Sequence, residues 1–483
     1  MQEKVTFNID KNKNFSEWYT EIVKRAELAD LRYNIKGFLV FQPFSVLTME
    51  NMYSLYEKKL QEKGHLPYWY PAVIPESNFL KEKEHVKGFS PDVFWVTSYG
   101  DNQKLEEPLA LRPTSETAFY QMFSLWIRSY KDLPFKTYQR AQVWRYETKA
   151  TRPFIRSREF YWIEAHDAFS SLEEAEAQVK EDMETTKEML HDEFGIPFIF
   201  FKRPQWDKFA GAVNTYAADT LMPDGKVIQQ PSTHLLGQNF SKPFDVKFKD
   251  KNGEDKYCFI TCYGPAISRI FASLISIHGD DNGLIFPFKI APFQIVIVPV
   301  LIKGKEKEVL KKAKDLQKKL AEKFRVYLDL REENMGEKFY HWEMKGIPIR
   351  LELGPKEAKS SEVTLFRRDT RKKEKVKLKD LVKKIEKVGE ELTKNLIKKA
   401  DDEFKNSIIN VKNFSELKKI NGKFVRVNFC SIDKDGEKCA EKIEKETELT
   451  VRGIRSDVKE KASGKCIVCN KEAKEVVYLA KPY

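Results

Sequence analysis

The pattern of apolar residues changes at about residue 290, and this change strongly limits how the chain can fold. Up to residue 288 the sequence is rich in aromatic residues and prolines, and runs at 137–146, 159–163 and 257–262 predict antiparallel strands between helices. From residue 290 onward, the runs PFQIVIVPV and FRVYLDL predict buried strands that alternate with a basic amphipathic helix. The first part therefore predicts an α+β body, and the second predicts a small α/β domain with a largely parallel sheet.

Local signals indicate where single elements begin and end. Ser171 and Glu174 form a capping-box pattern, and the helix that follows should end near Phe194 because Gly195 and Pro197 come next. Residues 371–399 are dominated by lysine and predict a helical connector. A last segment begins at about residue 400.

Length and composition limit the class of protein. A chain of 483 residues predicts about three domains, and a hydrophobic fraction of 41% excludes a wholly disordered protein. No run approaches the ~20 apolar residues that span a bilayer, and the stretch MQEKVTFNIDKNKNF lacks the apolar segment of a signal peptide. We therefore expect a cytoplasmic protein without membrane contact. The net charge of +12 suits a polyanionic partner, although mixed surface charge is also an ordinary means of solubility.

Four of the six cysteines lie close to the C-terminus. Cys430 and Cys439 form one pair, and Cys466 and Cys469, with two residues between them, form a second. Four thiolates in two pairs are typical of a tetrahedral structural Zn²⁺ site, which leaves no open position for a reacting water. The alternative is a set of reduced free thiols.

An arginine-containing segment is the main candidate for nucleotide chemistry. The common phosphate-binding glycine loops are absent, whereas Arg145, Glu147, Arg156 and Ser157 lie in and around an irregular loop between two predicted strands. A guanidinium binds phosphate oxygens in a forked geometry, so inward-facing arginines favour a phosphate site. A surface ladder of ion pairs is the alternative. Arg269, at the start of an apolar helix, needs either a polyphosphate or a buried carboxylate as partner.

These segments resemble a known family. Pro71 in YWYPAVIPE, the segment from Arg145 to Phe160, and Gly264 to Arg269 resemble motifs 1, 2 and 3 of class II aminoacyl-tRNA synthetases, in that order. Together with LRPTSET and HLLGQNFSK, they resemble prolyl-tRNA synthetases of the archaeal and eukaryotic type over essentially the whole chain.

The resemblance implies a fold and a function. It implies an α+β class II catalytic core with an antiparallel sheet over residues 1–288, an α/β anticodon-binding domain over 289–399, and a C-terminal α/β zinc-binding domain over 400–483. It further implies a homodimer with Pro71 near the interface, ATP-dependent activation of L-proline to prolyl-adenylate, and transfer to tRNA(Pro).

The resemblance also implies roles for individual residues. Arg145 would hold the α-phosphate and the proline carboxylate, Arg269 would hold the far phosphates of ATP, and Mg²⁺ would bridge phosphate oxygens. Ile267 departs from the family, since relatives often carry a threonine that contacts ATP there. The chain ends in Tyr483, and in the family a terminal tyrosine often folds back toward the active site. The remaining residues of the implied ATP site are Glu147, Arg156, Ser157, Gln229 and Ser232.

The proline pocket and the anticodon surface are implied in the same way. Glu116 would meet the secondary ammonium of proline. The pocket would exclude the smaller alanine only weakly, because the few apolar contacts that alanine lacks contribute little to the difference in binding between the two amino acids. The segment between Ala168 and Tyr257 is too short to hold an editing domain. The other implied pocket residues are Thr114, Ser115, Arg145, Trp162, Glu164, His166, His234 and Cys262, and the implied anticodon readers are Arg350, Glu352, Arg367 and Arg368.

Three alternatives stay open on sequence alone. One is another class II synthetase of the same subclass, for threonine, glycine or histidine. The second is a catalytically silent, synthetase-like RNA-binding protein, against which the retained Arg145, Glu147 and Arg269 argue. The third is a metal-binding nucleic-acid module, supported only by charge and the clustered cysteines.

Overall fold

The computed structural model describes residues 7, 9–78, 92–147 and 150–483. Much of the N-terminal stretch without a signal-peptide pattern, and Thr148 and Lys149 of the arginine-containing loop, lie outside these ranges. Within them, no helix combines the length and the apolar character that crossing a membrane requires.

The described residues up to residue 288 form an α+β body. Ser171 and Glu174 make the predicted capping box, and the helix after them continues as a π-helix over Lys187–Glu193. The helices are α1 (Phe15–Arg25), α2 (Pro43–Glu62), α3 (Glu116–Trp126), α4 (Leu172–Thr186) and α5 (Ile267–His278), with a 3₁₀ turn at Tyr130–Asp132. The strands are β1 (Ala29–Asp30), β2 (Val40–Phe41), β3 (Leu66–Pro67), β4 (Val73–Pro75), β5 (Trp95–Tyr99), β6 (Gln103–Leu111), β7 (Phe135–Trp144), β8 (Glu159–Phe169), β9 (Ile199–Lys202), β10 (Asn214–Leu221), β11 (Lys226–Gly237), β12 (Lys247–Lys249), β13 (Asp255–Tyr257) and β14 (Phe259–Gly264).

The central sheet of this body runs in the order β9-β10-β11-β14-β8-β7-β3. Its strands pair antiparallel except at the edge, where β3 runs parallel to β7. The predicted strands at 137–146, 159–163 and 257–262 correspond to β7, β8 and β14. The expected class II type of core, an antiparallel sheet flanked by helices, is therefore confirmed.

The second region is the predicted α/β domain with one difference. Its sheet has the order β16-β15-β17-β18-β19, and only the β15–β16 and β15–β17 pairs are parallel. The other two pairs are antiparallel because the connections from β17 to β18 and from β18 to β19 are too short for the crossover that a parallel pair needs, although the first contains a five-residue helix. The elements are β15 (Ile295–Pro299), α6 (Glu306–Ala321), β16 (Val326–Leu328), α7 (Met335–Met344), β17 (Ile349–Leu353), α8 (Pro355–Lys359), β18 (Glu362–Arg367), β19 (Lys373–Lys377) and α9 (Leu381–Lys405). The predicted connector thus begins as strand β19 and becomes a helix only at Leu381.

The last region extends the catalytic sheet. Its strand β22 pairs with β9, so the central sheet continues in the order β20-β21-β23-β22 into the C-terminal region and reaches eleven strands among the described residues. The elements are β20 (Ile408–Asn410), α10 (Phe414–Leu417), β21 (Phe424–Phe429), a 3₁₀ turn at Lys434–Gly436, α11 (Glu437–Thr447), β22 (Thr450–Arg455) and β23 (Glu475–Pro482).

One large apolar core joins the body to the α/β domain. It packs α1, α2 and α5 against the sheet and includes Trp18, Phe271 and Val296, all of them buried. A second core beneath α3 contains Phe119, Phe123 and Ile260. These cores hold β7, β8, β11, β14 and α5 in fixed positions, and these elements or the loops next to them carry most of the candidate site residues.

Candidate active site

The arginine-containing segment is the connection between β7 and β8. The two strands stay in register up to the pair Trp144 and Glu159, and beyond it the amide of Arg145 donates to the carbonyl of Arg158 at 2.9 Å. In the loop, Arg156 Nε donates to Glu147 Oε2 at 2.9 Å. The predicted strand, loop and return strand are therefore present, and this ion pair fixes the orientation of both side chains.

A cavity of about 290 Å³ opens above this hairpin. Most of the residues implied for ATP line it. Ser232 does not, and its hydroxyl lies 3.0 Å from His234 Nε2 in the neighbouring pocket. Ile267, the departure from the family, is fully buried in the core. The predicted residues that line the cavity are Arg145, Glu147, Arg156, Ser157, Gln229 and Arg269.

Arg269 lies in the first turn of α5 and faces the cavity. Its Nη1 donates to the carbonyl of Gln229 at 3.3 Å, and among the described residues no carboxylate forms an ion pair with it. Burial, together with the positive charges of Arg145 and Arg156, lowers the pKa of Arg269 to about 10. Four arginines line the cavity, Arg452 being the fourth, and Glu147 is the one acidic side chain among its described lining residues. This excess of positive charge favours a polyanion.

The C-terminal residue lines the same cavity. Strand β23 runs parallel to the start of β11 through the pair Lys226 and Lys481, and this pairing carries Tyr483 to the cavity wall. The hydroxyl of Tyr483 donates to Asp224 Oδ2 at 2.8 Å, and its amide donates to the carbonyl of Val227 at 3.3 Å.

The residues implied for proline form a second, buried cluster on the same sheet. Cross-strand pairing places His234 beside Cys262, and Cys262 beside His166, in one row over β11, β14 and β8. Cys262 Sγ lies 3.8 Å from His166 Nε2 and 3.9 Å from Glu116 Oε1. Trp162 is also buried, and its ring centroid lies 5.9 Å from the guanidinium carbon of Arg145.

Two carboxylates organise this pocket. Thr114 Oγ1 lies 2.5 Å from Glu116 Oε2 and 2.8 Å from Glu164 Oε1, and the amide of Ser115 donates to Glu164 Oε1 at 2.9 Å. Burial alone would raise the pKa of Glu164, but hydrogen bonds from His166, Ser115 and Thr114 lower it to about 2. Burial and the charge of Glu164 raise the pKa of Glu116. The hydrogen bonds therefore favour the charged form of Glu164, which holds the pocket wall. Burial favours the neutral form of Glu116, and a cationic substrate beside it would favour the charged form.

Sequence reasoning missed three residues that support this pocket. Tyr120 places its hydroxyl 2.7 Å from His166 Nδ1, and Gln139 Nε2 donates to Ser115 Oγ at 2.7 Å. Phe209 packs its ring 4.8 Å from the ring of His234, centroid to centroid. Tyr120 could have been found, because it follows Glu116 by four residues and so shares its helix face. Nothing in the local sequence marks the other two.

Two of the implied anticodon readers are inaccessible, which corrects that assignment. Arg368 is fully buried, and both of its terminal nitrogens bind the carboxylate of Asp280. Arg350 lies between the rings of Phe339 and Phe366, with its guanidinium carbon 3.8 Å and 4.0 Å from their centroids. Neither guanidinium can therefore meet a base in this structure.

The other two implied readers keep a partly exposed surface. Glu352 binds Arg350 and Lys373, whereas Arg367 binds Asp369 and Glu391. Each is already paired, so a base would have to share or replace an existing ion pair.

The four clustered cysteines converge. Their four sulfur atoms all lie within 4.8 Å of one another, in Cys430, Cys439, Cys466 and Cys469. The two pairs come together although they are separated in the sequence. Cys258 is buried elsewhere, beneath the catalytic sheet. A set of four sulfurs at this spacing fits a tetrahedral Zn²⁺.

Comparison with known proteins agrees with this architecture. Three family models match: the class II core domain of tRNA synthetases (G, H, P, S and T) over residues 94–278, an anticodon-binding domain over 294–388, and the prolyl-tRNA synthetase C-terminal domain over 413–483. A proline–tRNA ligase of Thermofilum pendens is 50% identical over 481 residues, which cover 98% of each chain. One from Pyrococcus horikoshii is 41% identical over 480 residues, again 98% of each chain.

A solved structure extends the agreement to three dimensions. The Giardia lamblia prolyl-tRNA synthetase in complex with prolyl-adenylate superposes with a TM-score of 0.94 at 35% identity, over 99% of this chain and 100% of that one. Because whole-chain relatives, domain models and fold all agree, the chain belongs to the prolyl-tRNA synthetase (proline–tRNA ligase) family of class II aminoacyl-tRNA synthetases.

Proposed function

We propose that this chain activates L-proline with ATP at the cavity and pocket described above, and transfers the prolyl group to tRNA(Pro). The position of Arg145 carries the proposal. Arg145 lines the cavity, and its Nε donates to the carbonyl of Pro113, directly before Thr114 of the pocket, at 3.0 Å. Enclosure lowers the pKa of Arg145, although part of its surface stays exposed, and the charges of Glu116 and Glu164 oppose this effect. One guanidinium thus lies where two reactants would meet.

The first reaction step follows from this geometry. A carboxylate oxygen of proline attacks the α-phosphorus of ATP, a new oxygen–phosphorus bond forms, and the bond to the leaving pyrophosphate breaks. Arg145 would neutralise charge on the carboxylate and the α-phosphate, and Arg269 would hold the β- and γ-phosphates. Such a step depends on positioning and charge stabilisation more than on an acid or base.

The remaining cavity residues would bind the nucleotide. Glu147, Arg156 and Ser157 would line the adenine and phosphate region, and Gln229 would lie near the ribose. For Ser232, bonded to His234, we propose a role in holding the pocket wall. In the second step, a ribose hydroxyl at the 3′ end of tRNA attacks the prolyl carbonyl, and AMP leaves.

In the pocket, the ionised form of Glu116 would pair with the secondary ammonium of proline. Glu164, bonded to Thr114 and Ser115, would keep the pocket walls in place. The apolar ring of proline would lie against the remaining walls, which are Trp162, His166, His234 and Cys262.

Two metals are part of the proposal. Glu147 is the one acidic side chain among the described residues that line the cavity, and it already binds Arg156. This donor set is too small for a dedicated Mg²⁺ site, so Mg²⁺ would enter bound to the phosphates of ATP. Zn²⁺ would be held by the four clustered cysteines and would stabilise the C-terminal fold.

We also propose a homodimer acting in the cytoplasm. Trp69, two residues before Pro71, is 91% exposed, and Leu66, Trp95 and Tyr99 are exposed as well. Large apolar side chains left exposed close to Pro71 support an interface there, because burial against a second copy would remove them from water. Sedimentation equilibrium would test it, because a monomer at micromolar concentration would contradict the dimer.

The domain division and the tRNA contacts stay proposals of the same kind. The matched family models lie inside the ranges 1–288, 289–399 and 400–483, which supports that division. With Arg350 and Arg368 buried, Glu352 and Arg367 are the implied anticodon readers that remain accessible.

ATP–pyrophosphate exchange with each of the twenty amino acids tests the activity and the pocket together. Strong exchange with proline and weak exchange with alanine would support both. Exchange with another amino acid instead would overturn the pocket, and absence of exchange with any would favour a silent RNA-binding protein.

A further inference from the structure

A residue of the C-terminal region lies in the wall of the catalytic cavity. Arg452, on β22, lines the same cavity as Arg145 and Arg269 and is only 8% exposed. Its strand joins the catalytic sheet through the pairs Ile454 with Lys202 and Arg455 with Phe201. The cavity is thus built by two parts of the chain that are far apart in sequence.

A bulge at Gly453 directs Arg452 inward. The register between β22 and β23 shifts between Val451 and Gly453, and Gly453 has a φ of +122°. A Cβ at Gly453 would lie 2.1 Å from the carbonyl oxygen of Lys202, so no other residue fits. Bulges beside active sites commonly re-aim a neighbouring side chain, and here the neighbour is Arg452.

Arg452 shares one carboxylate with a second arginine. Its Nε lies 2.7 Å from Asp219 Oδ2, and Nη1 and Nη2 of Arg203 lie 2.9 Å and 2.7 Å from the two oxygens of the same carboxylate. Arg203 Nη1 also donates to the carbonyl of Arg452 at 2.9 Å. Two guanidiniums thus share one buried carboxylate, and the negative charge of Asp207 also acts on Arg452. Arg452 keeps its positive charge at the cavity wall, where it would attract an anionic ligand.

This cluster reaches the nucleotide side of the cavity through Gln229. Asp219 and Gln229 are direct cross-strand partners on β10 and β11 and so share a face of the sheet. Arg203 Nη2 lies 3.3 Å from Gln229 Oε1, whereas Arg269 Nη1 holds the backbone carbonyl of Gln229 at 3.3 Å. The side chain and the backbone of one cavity residue are therefore each held by an arginine.

We propose that Arg452 is a positioning residue for ATP, through which the C-terminal region sets the affinity of the catalytic cavity for the nucleotide. It fixes Asp219 and Arg203, which orient Gln229, and it adds positive charge to the wall. This inference rests on the proposed binding of ATP in the cavity.

The test compares Michaelis constants for ATP and for proline in pyrophosphate exchange. Arg452→Met should raise the KM for ATP at least tenfold and leave the KM for proline within twofold. Arg452→Lys should give an intermediate KM for ATP, because lysine keeps the charge and loses the forked contact. Arg455→Met is the matched control, since Arg455 lies on the same strand, pairs with Asp457 and should behave like the parent.

The outcomes separate this inference from the function on which it rests. If Arg452→Met keeps a KM for ATP within twofold of the parent, the inference is overturned. It is also overturned if both Michaelis constants rise equally and the melting temperature falls, because that result indicates a structural role only. Arg269→Met is the reference for the cavity. If it raises the KM for ATP and Arg452→Met does not, the proposed function stands and the inference fails. If Arg269→Met has no effect, both fail.

Discussion

Arg368 of the α/β domain and Asp280 of the catalytic body form a forked ion pair, with Nη1 2.9 Å from Oδ2 and Nη2 2.6 Å from Oδ1. The guanidinium is fully buried, and the Asp280 side chain is 29% exposed. Arg368 Nε also donates to the carbonyl of Glu343. The pair therefore links two regions that the sequence pattern separates at about residue 290.

Replacing Arg368 by methionine should destabilise the protein. Removal of one partner from a buried ion pair leaves the other unpaired. We expect a loss of about 3 kcal/mol in the free energy of unfolding, at the low end for buried pairs because Asp280 is partly exposed. Urea unfolding followed by tryptophan fluorescence measures it. Arg371→Met should change the free energy by less than about 1 kcal/mol, because Arg371 is half-exposed in its pair with Glu343. Equal effects of the two substitutions would contradict the role of Arg368.

Replacing Glu116 by glutamine should weaken proline binding selectively. A charge-assisted hydrogen bond contributes about 1.5–3 kcal/mol, so the KM for proline should rise roughly 10- to 100-fold while the KM for ATP changes little. Glutamine has the same shape, so Thr114 keeps a hydrogen-bond acceptor. Pyrophosphate exchange gives both constants, and Glu173→Gln on the exposed face of α4 is the control. A KM for proline unchanged in Glu116→Gln would remove Glu116 from the substrate site.

Metal content should follow the cysteine cluster. We expect about one Zn²⁺ per chain in the parent protein and less than about 0.3 in Cys466→Ser, because closed tetrahedral sites need all four ligands. Inductively coupled plasma mass spectrometry measures it. Cys258→Ser, in a buried cysteine outside the cluster, should keep the full amount. A parent protein purified without Zn²⁺ would show that the sulfurs are free thiols.

Alanine should be activated to a measurable extent. Alanine fits any pocket that admits proline, and the missing methylene contacts are worth only ~1–3 kcal/mol, or about 10- to 200-fold in kcat/KM. Pyrophosphate exchange with each amino acid at saturating ATP gives this ratio. A discrimination far above 10³-fold would require a further selective feature in the pocket.

Stability should fall on acidification, in part through His278. Burial lowers the pKa of His278 from 6.5 to about 4, although Nε2 makes a 2.8 Å hydrogen bond to the carbonyl of Phe194. The unfolded chain then binds a proton that the folded chain excludes. The stability from the neutral imidazole is therefore present above pH 6.5 and is lost as the pH falls toward 4, at up to about 1.4 kcal/mol per pH unit.

His278→Gln should flatten this pH dependence, since glutamine can donate the same hydrogen bond without titrating. Urea unfolding at pH 7, 6 and 5 measures it. His191 gives a control of opposite sign, because Asp192 and Asp401 raise its pKa against the effect of burial, so the charged form is the stabilising one. Between pH 7 and pH 5, His191→Gln should therefore lose more free energy of unfolding than the parent does. If the free energy of unfolding changed equally with pH in the parent, His278→Gln and His191→Gln, both assignments would be contradicted.

The sequence by itself determined the main features that depend on local or ordered patterns. The change near residue 290 predicted a second fold type, Ser171 and Glu174 predicted a helix start, and the ordered motifs around Pro71, Arg145 and Arg269 indicated the family. The spacing of Cys466 and Cys469 predicted a metal site. Such signals can be read because neighbouring residues, or residues at fixed spacing, carry them.

Only the tertiary structure decided which partner each charged side chain meets. Arg350 and Arg368 have the residue type of an RNA-binding surface, yet the fold buries one between two aromatic rings and the other against Asp280. Arg452 lies in a segment without nucleotide motifs, yet the pairing of β22 with β9 brings it to the cavity. The long-range strand pairing and domain packing that set these distances join residues far apart in the chain, and no local pattern encodes them.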